Sequence, residues 1–347
     1  MSKEIKCVVW DLDHTMWEGV LLESPHVTLK PGIPEIIREL DSRGILQSIA
    51  SKNHREDALA KLKEFGLAEY FLYPEIHWNA KSTSIENIRK NLNIGIDTFA
   101  FIDDQPFELE EVKSVHEDVL CIDAAGYKEL LTRPCLQPRI ITKDSTRRRL
   151  MVIEDMKRQQ EEETFEGPKE EFLASLDMKF VISEAREEDL QRAEELTVRT
   201  NQLNSTGITY DYDELNIFRQ DPNHLLLVCE LTDRYGSYGK IGLALIQKTA
   251  EADYLKLLLM SCRVMSRGVG TVLLTHLMQR TKKARKRFLA EFCQTERNRM
   301  MFVTFRLAGF NEVDKREDIS ILEHNLEKLH PFPPYIEVQV PQLEESF

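Results

Sequence analysis

The sequence predicts two units in series, an α/β unit built on a parallel sheet and then a mixed α+β unit. Three observations predict it. Roughly the first 125 residues alternate short apolar runs with helix-patterned stretches, the signature of strand–helix repeats that stack into a parallel sheet with helices on both faces. A charged stretch over residues 131–175 then breaks the pattern. Beyond it the strand signals cluster instead of alternating. A chain of 347 residues also exceeds what one core usually organises and suits two domains. The boundaries read from the sequence are 1–130 for the first unit, 131–175 for a charged helical linker and 176–347 for the second unit.

In chain order, "KCVVW" (residues 6–10) is an apolar run of strand length. "PGIPEIIRELDSRG" (31–44) is a helix opened by Pro and closed by Gly. "ILQSIAS" (45–51) is the second strand, and "HREDALAKLKEFGL" (54–67) carries apolar residues at helical spacing. "YFLYPEI" (70–76) reads as a third strand and "KSTSIENIRKNLNI" (81–94) as a helix. "TFAFI" (98–102) is a strand, "PFELEEVKSV" (106–115) a helix, and "DVLCI" (118–122) a last strand. The linker holds "TRRR", "KRQQEEE" and "EGPKEE", with Gly167-Pro168 breaking its helix. The second unit reads as strands at 179–183, 224–231, 240–248, 252–264 and 287–293, with helices at 186–202, 268–283 and 296–310.

Composition narrows the function. A net charge of −13 excludes general nucleic-acid binding. No apolar run reaches membrane-spanning length and the start of the chain lacks a secretory h-region, so neither a membrane nor export is expected. Six scattered cysteines without paired spacing suggest reduced thiols and a cytoplasmic setting, and nothing in their placement argues for zinc. One basic run, "RTKKARKR" (280–287), stands against the acidic background. It reads either as a helix end complementing the helix dipole or as a landing patch for phosphate or an acidic partner.

The chemistry gathers at strand ends, where α/β sheets place their sites. Asp11, Asp13 and Thr15 follow the first strand, Ser51 ends the second, Lys81 opens a helix, and Asp103 and Asp104 end the strand that starts at residue 98. Asp11 and Asp13 are two apart and can share a pocket. Crowded like charges need neutralising, and a hard divalent cation is the usual means. Mg²⁺ held by Asp11, Asp103 and the Asp13 backbone carbonyl, with Asp104 beside them, would do so. Lys81 and Ser51 would then hold phosphoryl oxygens.

"DLDHT", the strand-end serine, the helix-opening lysine and "IDD", in this order, resemble the four motifs of the haloacid dehalogenase (HAD) superfamily. The resemblance implies a Rossmann-like domain in which Asp11 is the nucleophile that forms an aspartyl-phosphate. It implies Asp13 as general acid and then general base, with Thr15, Ser51 and Lys81 around the phosphate. About fifteen residues separate Thr15 from the first helix, and the stretch from Ser51 to Lys81 is equally short, so no cap domain is expected. "MWEGVLLE" could form a small flap, or Trp17 could simply pack.

"SCRVMSRGVGTVLLTHL" and "ERNRMMFVTFRLAGF" resemble motifs of GNAT-type acetyltransferases, which bind the pyrophosphate of acyl-CoA at a glycine turn opening a helix. Gly268, Gly270 and Asn298 match, together with the "GF" at Gly309 and Phe310. Met265 stands where a Gln or Arg is usual, and Phe305 where a general-acid Tyr often lies, which points to a pantetheine-binding or packing role.

A HAD domain of the IIIC phosphatase type followed by a GNAT-like domain, with "FIDDQPFE", "RTNQLN" and "SCRVMSRGV", resembles the FkbH-like proteins of polyketide-type biosynthesis. The resemblance implies removal of phosphate from a phosphorylated three-carbon acyl donor such as 1,3-bisphosphoglycerate. The acyl group would pass to the phosphopantetheine arm of a separate acyl carrier protein. Arg199, Asn201, Gln202, Asn204 and Arg263, with Gly268, Gly270 and Asn298, are the residues expected near that arm. The family's acyl-relay cysteine would precede Ser51, where this chain has Ala50; Cys7 and Cys262 are read as packing. The alternatives are a plain HAD phosphatase acting on a small phosphorylated metabolite, with the second unit as lid or scaffold, and a carrier-binding module whose chemistry has decayed. The intact acidic set opposes the last. The oligomeric state stays open.

Overall fold

Strand β1 (Cys7–Trp10) is buried at every position because it lies in the middle of a five-stranded sheet. In the computed structural model, which describes residues 4–341, the chain divides into two compact units. One ends at Ile153 and the other begins at Glu154. The break falls inside the segment read as a linker, within one of its helices.

In the first unit, β1 is followed by the two-residue strands β2 (Trp17–Glu18) and β3 (Thr28–Leu29), which pair with each other as a small flap. Then come α1 (Ile33–Ser42), β4 (Leu46–Ser51), α2 (Arg55–Glu64), β5 (Glu75–Ile76), α3 (Lys81–Leu92), β6 (Phe99–Asp103), α4 (Pro106–Val115) and β7 (Leu120–Asp123). The sheet order is β5-β4-β1-β6-β7, all parallel. The chain reverses its direction of travel across the sheet at β1, the topological switch point where α/β sheets open a crevice. Register sets the site: Trp10 lies level with Ile49 of β4 and Ile102 of β6, so Asp11 and Asp103 come out side by side at the carboxyl ends. Neither connection leaves room for a cap, as expected.

The run 70–76 forms less strand than its composition suggests. Glu75 and Ile76 pair with Ala50 and Ser51, and Phe71 makes one isolated bridge to Gln47. Tyr73 is in the left-handed region (φ 48°) and Pro74 has no N–H to give, so the ladder is interrupted between Phe71 and Glu75. A buried amide links sheet and helix layer: Trp10 Nε1 donates to Gln47 Oε1 (3.2 Å), and Gln47 Nε2 donates to the Ile37 carbonyl (2.8 Å).

After β7 come α5 (Lys143–Thr146), α6 (Arg148–Thr164) and α7 (Lys169–Ser175), with Gly167-Pro168 separating the last two as the sequence indicates. Up to Ile153, α6 belongs to the first unit, where Arg149 pairs with Asp41 (2.9 Å) and stacks on Tyr70. From Glu154 it belongs to the second.

The second unit continues with β8 (Met178–Glu184), α8 (Leu190–Arg199), α9 (Tyr212–Gln220), β9 (His224–Asp233), β10 (Gly236–Lys248), β11 (Ala252–Met260), α10 (Val269–Lys283), β12 (Arg287–Cys293), α11 (Arg299–Leu307), β13 (Asn311–Arg316), β14 (Ile319–His324) and β15 (Ile336–Gln339). Its sheet runs β13-β14-β12-β11-β10-β9-β8-β15. It is an antiparallel meander from β8 to β11, with α10 crossing over to place β12 parallel beside β11. This is a mixed α+β arrangement, with strands clustered as the sequence indicates. β11 stops at Met260, short of the 264 expected, because residues 262–264 turn into a 3₁₀ helix. Helix α9 was not anticipated, although Asp211 and Glu214 form a capping box that signals its start.

One buried cation organises an edge of this unit. Arg158 of α6 is 1% exposed. It holds Asp233 through two nitrogens (2.7 and 2.8 Å), bonds Asp155 (2.8 Å) and lies 3.9 Å above the Tyr238 ring. The Arg158→Met variant leaves the buried Asp233 carboxylate without its cation, with only the neutral Tyr235, Gly236 and Tyr238 donors. Chemical unfolding of the second unit is expected to show a loss of about 3–5 kcal/mol.

Candidate active site

Four residues reach one point from separate elements of the first unit. Asp11 follows β1, Ser51 ends β4, Lys81 opens α3 and Asp103 ends β6. Together with Asp13, Lys52, Gln105 and Glu108 they line one cavity. Lys81 is 3% exposed and its ammonium donates to Asp11 Oδ1 (2.5 Å), Asp103 Oδ2 (3.0 Å) and the Ala50 carbonyl (2.8 Å). Burial alone would lower its pKa, but the charges of Asp11 and Asp103 outweigh this and hold it above the ordinary lysine value.

Two of the carboxylates are raised as well, but for them a raised pKa disfavours the charged form. Burial, with the Asp11 charge adding to it, pushes Asp103 up to about 6 despite the opposing pull of Lys81. Burial and Asp11 also raise Asp104. Ligand oxygens of Asp11, Asp103 and Asp104 lie within 4.8 Å of one another. Three carboxylates against one ammonium leave two negative charges, which is the charge of one hard divalent cation. The donor set, all carboxylate oxygen, suits such an ion.

Asp13 lies outside this cluster. Its Oδ1 accepts from Trp17 Nε1 (2.7 Å) and the Leu21 backbone N–H (3.1 Å), and its Oδ2 accepts from Asn53 Nδ2 (2.9 Å). These donors fix the carboxylate's orientation beside Asp11 while keeping it out of the acidic triad. The sequence reading gave Asp13 to the metal through its backbone carbonyl, and the side chain remains available for proton transfer. Trp17 is fully buried, packs near Phe65 (ring centroids 6.1 Å) and holds Asp13, so flap and packing are one role.

Thr15 is buried, and its hydroxyl faces Asp104 at 3.5 Å instead of lining the cavity. Asn53, Lys52, Gln105 and Glu108 escaped the sequence reading. Asn53 and Lys52 directly follow the strand-end serine in "SKN", the one signal that could have found them. Lys52 pairs with Glu108 across the cavity wall (2.6 Å), and the Gln105 backbone N–H caps Asp103 Oδ1 (2.9 Å).

The residues expected around a pantetheine arm are dispersed. Asn201 and Gln202 are exposed, Arg199 pairs with Glu195 (3.3 Å) and Arg263 donates to the Tyr238 carbonyl (2.7 Å). Gly268 caps α10 at φ 79° and Gly270 lies in its first turn. Asn204 and Asn298 require correction as ligand-binding residues. They are 1% and 0% exposed and bonded within the chain. Asn298 Nδ2 donates to the Asn204 and Cys293 carbonyls (3.0 and 2.8 Å), and Asn204 Oδ1 accepts from the Thr206 and Gly207 N–H groups (3.1 and 2.9 Å). The basic run is also engaged at home: Arg280 and Lys286 reach Asp253 (3.3 and 3.6 Å), and Arg287 pairs with Glu323 (2.8 Å).

Comparison with known proteins agrees with this geometry. Residues 8–121 match the haloacid dehalogenase-like hydrolase family, and the first unit is a HAD-like hydrolase domain. A human relative, Magnesium-dependent phosphatase 1 (Homo sapiens), is 27% identical over 151 residues, covering 38% of this chain and 85% of that protein. Among solved structures, the N-terminal part of a Bacteroides fragilis protein containing a phosphatase domain, complexed with Mg, is 28% identical. That match covers 38% of this chain and 40% of the other, at a TM-score of 0.35. The second unit has acetyltransferase neighbours, such as the Escherichia coli ribosomal-protein-S18-alanine N-acetyltransferase (18% identity, 42% of this chain, 92% of that chain, TM-score 0.34). No helix among the described residues is long and apolar enough to cross a membrane.

The raised Asp103 has a stability consequence. An acid whose folded pKa lies above its unfolded value near 3.9 costs stability that is fully present above the folded pKa and is relieved as pH falls. In metal-free protein the Asp103→Asn variant should therefore unfold higher than the parent at pH 7.5, by about 3–5 °C in the first unit's transition. The difference should close between about pH 6 and pH 4. Thermal melts across that range check it, and a difference that widens on acidification would contradict it.

Proposed function

We propose that the first unit is a Mg²⁺-dependent phosphohydrolase with Asp11 as its nucleophile. The observation that carries this reading is the pairing of Asp11 with buried Lys81 (2.5 Å) inside an acidic cluster, beside an Asp13 oriented by separate donors. Asp11, Asp103 and Asp104, with the Asp13 backbone carbonyl, would hold the ion. When bound, it would supply positive charge to the phosphoryl oxygens and balance the cluster. The magnesium dependence in the human relative's name and the hydrolase family match support the reaction class.

The chain's own residues then act in two half-reactions. A carboxylate oxygen of Asp11 attacks phosphorus while the bond to the ester oxygen breaks, and Asp13 gives that oxygen a proton. Water next attacks the phosphorus of the aspartyl-phosphate, loses its proton to Asp13, and inorganic phosphate leaves with Asp11 regenerated. Lys81 and Ser51 hold the equatorial oxygens throughout. Trp17 and Asn53 keep Asp13 aimed at both oxygens.

A second reading extends the first. The substrate would be a phosphorylated three-carbon acyl donor such as 1,3-bisphosphoglycerate, and the acyl group would go to the phosphopantetheine thiol of a separate acyl carrier protein. The uncapped cavity favours it, since a protein-tethered acceptor needs an open mouth. No cysteine lines the cavity among the described residues. Cys7 is fully buried with its thiol pushed up by burial, so the carrier thiolate would attack the acyl carbon directly, the 1-phosphate would leave from that carbon, and the Asp11 half-reactions would then remove the 3-phosphate to leave a glyceryl thioester. Incubation with Mg²⁺, this donor and a carrier, followed by intact masses, separates the readings. A glyceryl increment on the carrier supports transfer, and phosphate release without it supports hydrolysis alone.

For the core claim, Asp11→Asn should lower phosphate release from an aryl phosphate by at least about 10³-fold, and chelation of Mg²⁺ should abolish release by the parent. Trp17→Phe keeps an aromatic side chain but removes the indole N–H that donates to Asp13. It should lower kcat about tenfold with little change in KM. Steady-state kinetics test both, and an Asp11→Asn variant with parental turnover would sink the proposal.

A further inference from the structure

GNAT-like folds imply an acyl-CoA ligand, held where two parallel strands diverge and where a glycine turn opens the following helix. The second unit has both features. β11 and β12 pair only over Ala252–Leu255 and Arg287–Ala290, and then separate. The turn at Gly268 leads into α10.

Both places are filled by the chain itself. Residues 203–205 lie in the strand gap and bond both walls. The Ser205 N–H donates to the Leu258 carbonyl (2.9 Å), Ser205 Oγ accepts from the Leu258 N–H (3.0 Å) and the Leu203 carbonyl accepts from the Met260 N–H (2.9 Å). Those are the edge groups of β11 that face the gap, and any ligand entering it would have to pair with them instead. On the facing wall, the Cys293 N–H of β12 donates to the Ser205 carbonyl (3.0 Å). Asn204 bridges to Leu259 in antiparallel fashion, so the segment behaves as a short inserted strand. The Asn298 amide clamps it from below through the Asn204 and Cys293 carbonyls. Ser205 and Asn298 are both 0% exposed.

The turn is covered as well. The Tyr335 hydroxyl lies 2.9 Å from where a Cβ on Gly268 would sit. Arg267, just before the turn, is 6% exposed and pairs with Glu162 of α6 (3.0 Å), which sets a carboxylate where a diphosphate would bring further negative charge. Met265 offers no charge, and Phe305, at the position of the usual acid, is buried against Phe310.

We infer that the second unit closes its own acyl-CoA groove: the 203–205 segment is the built-in occupant of the β11–β12 gap, and this unit takes no acyl-CoA. The inference stands apart from the phosphatase reading. Displacing the segment would leave the Leu258, Met260 and Cys293 groups unpaired in a buried wall, a cost an incoming arm could offset only by reproducing every bond.

Equilibrium dialysis of the full chain against radiolabelled acetyl-CoA up to about 1 mM tests it, with hydrogen exchange on the same sample. The expected result is no saturable binding, with the Met260 and Cys293 amides protected equally with and without the ligand. Saturable binding near one per chain, or rapid exchange at those amides in the free protein, would overturn it. Phosphate release assayed on the same sample confirms a folded first unit and keeps the two readings distinguishable.

Discussion

The first unit depends on one buried ammonium. Adjacent parallel strands deliver Asp11 and Asp103 side by side, as the level pairing of Trp10 with Ile102 requires. Two carboxylates so placed repel, and burial adds to the cost. Lys81 makes the arrangement tolerable by touching both. Its position is set by backbone events upstream: Tyr73 and Pro74 cut β5 short, and α3 begins at Lys81 itself. The start of α3 is tied to α4 where the Ser82 N–H donates to Glu111 (3.1 Å). The remaining negative charge defines what the site is ready to receive.

In the proposed mechanism the two aspartates of "DLD" divide their work through environment. Asp11 sits against a cation within a cluster of its own sign, which suits a nucleophile that must approach an anionic phosphoryl group next to a metal. Asp13 lines the same cavity but is held apart from that cluster by neutral donors from the flap and from the end of β4. Such a separation lets one residue bond phosphorus while the other handles protons. The flap is short, yet by burying Trp17 it couples hydrophobic packing to the orientation of the Asp13 carboxylate.

Much of this was legible in the sequence because strand ends and helix starts are local signals. Asp11, Ser51, Lys81 and Asp103 could be assigned to one site once four strands were read as parallel. Asn53 and Glu108 were not, since a single polar residue after a strand or inside a helix carries no mark of which cavity it faces. The glycine turn at Gly268 and the amides at Asn204 and Asn298 were visible as residue types. Their use was not, because it depends on a loop folding back between β11 and β12, a long-range event that periodicity does not report. Short β5 shows the same limit from the other side, where an apolar run was overruled by one left-handed residue and one proline.

In the inference drawn above, the second unit satisfies internally the groups along its β11–β12 gap, and the proposed phosphoryl chemistry belongs to the first unit. Its central claim is a covalent one, that Asp11 carries the phosphoryl group between half-reactions. The most direct measurement is acid quenching during turnover, borohydride reduction of the trapped acyl phosphate and peptide mapping by mass spectrometry. The account predicts reduction at Asp11 alone, dependent on Mg²⁺ and substrate. Turnover with no modified aspartate, or modification at Asp13 or Asp103 instead, would contradict it.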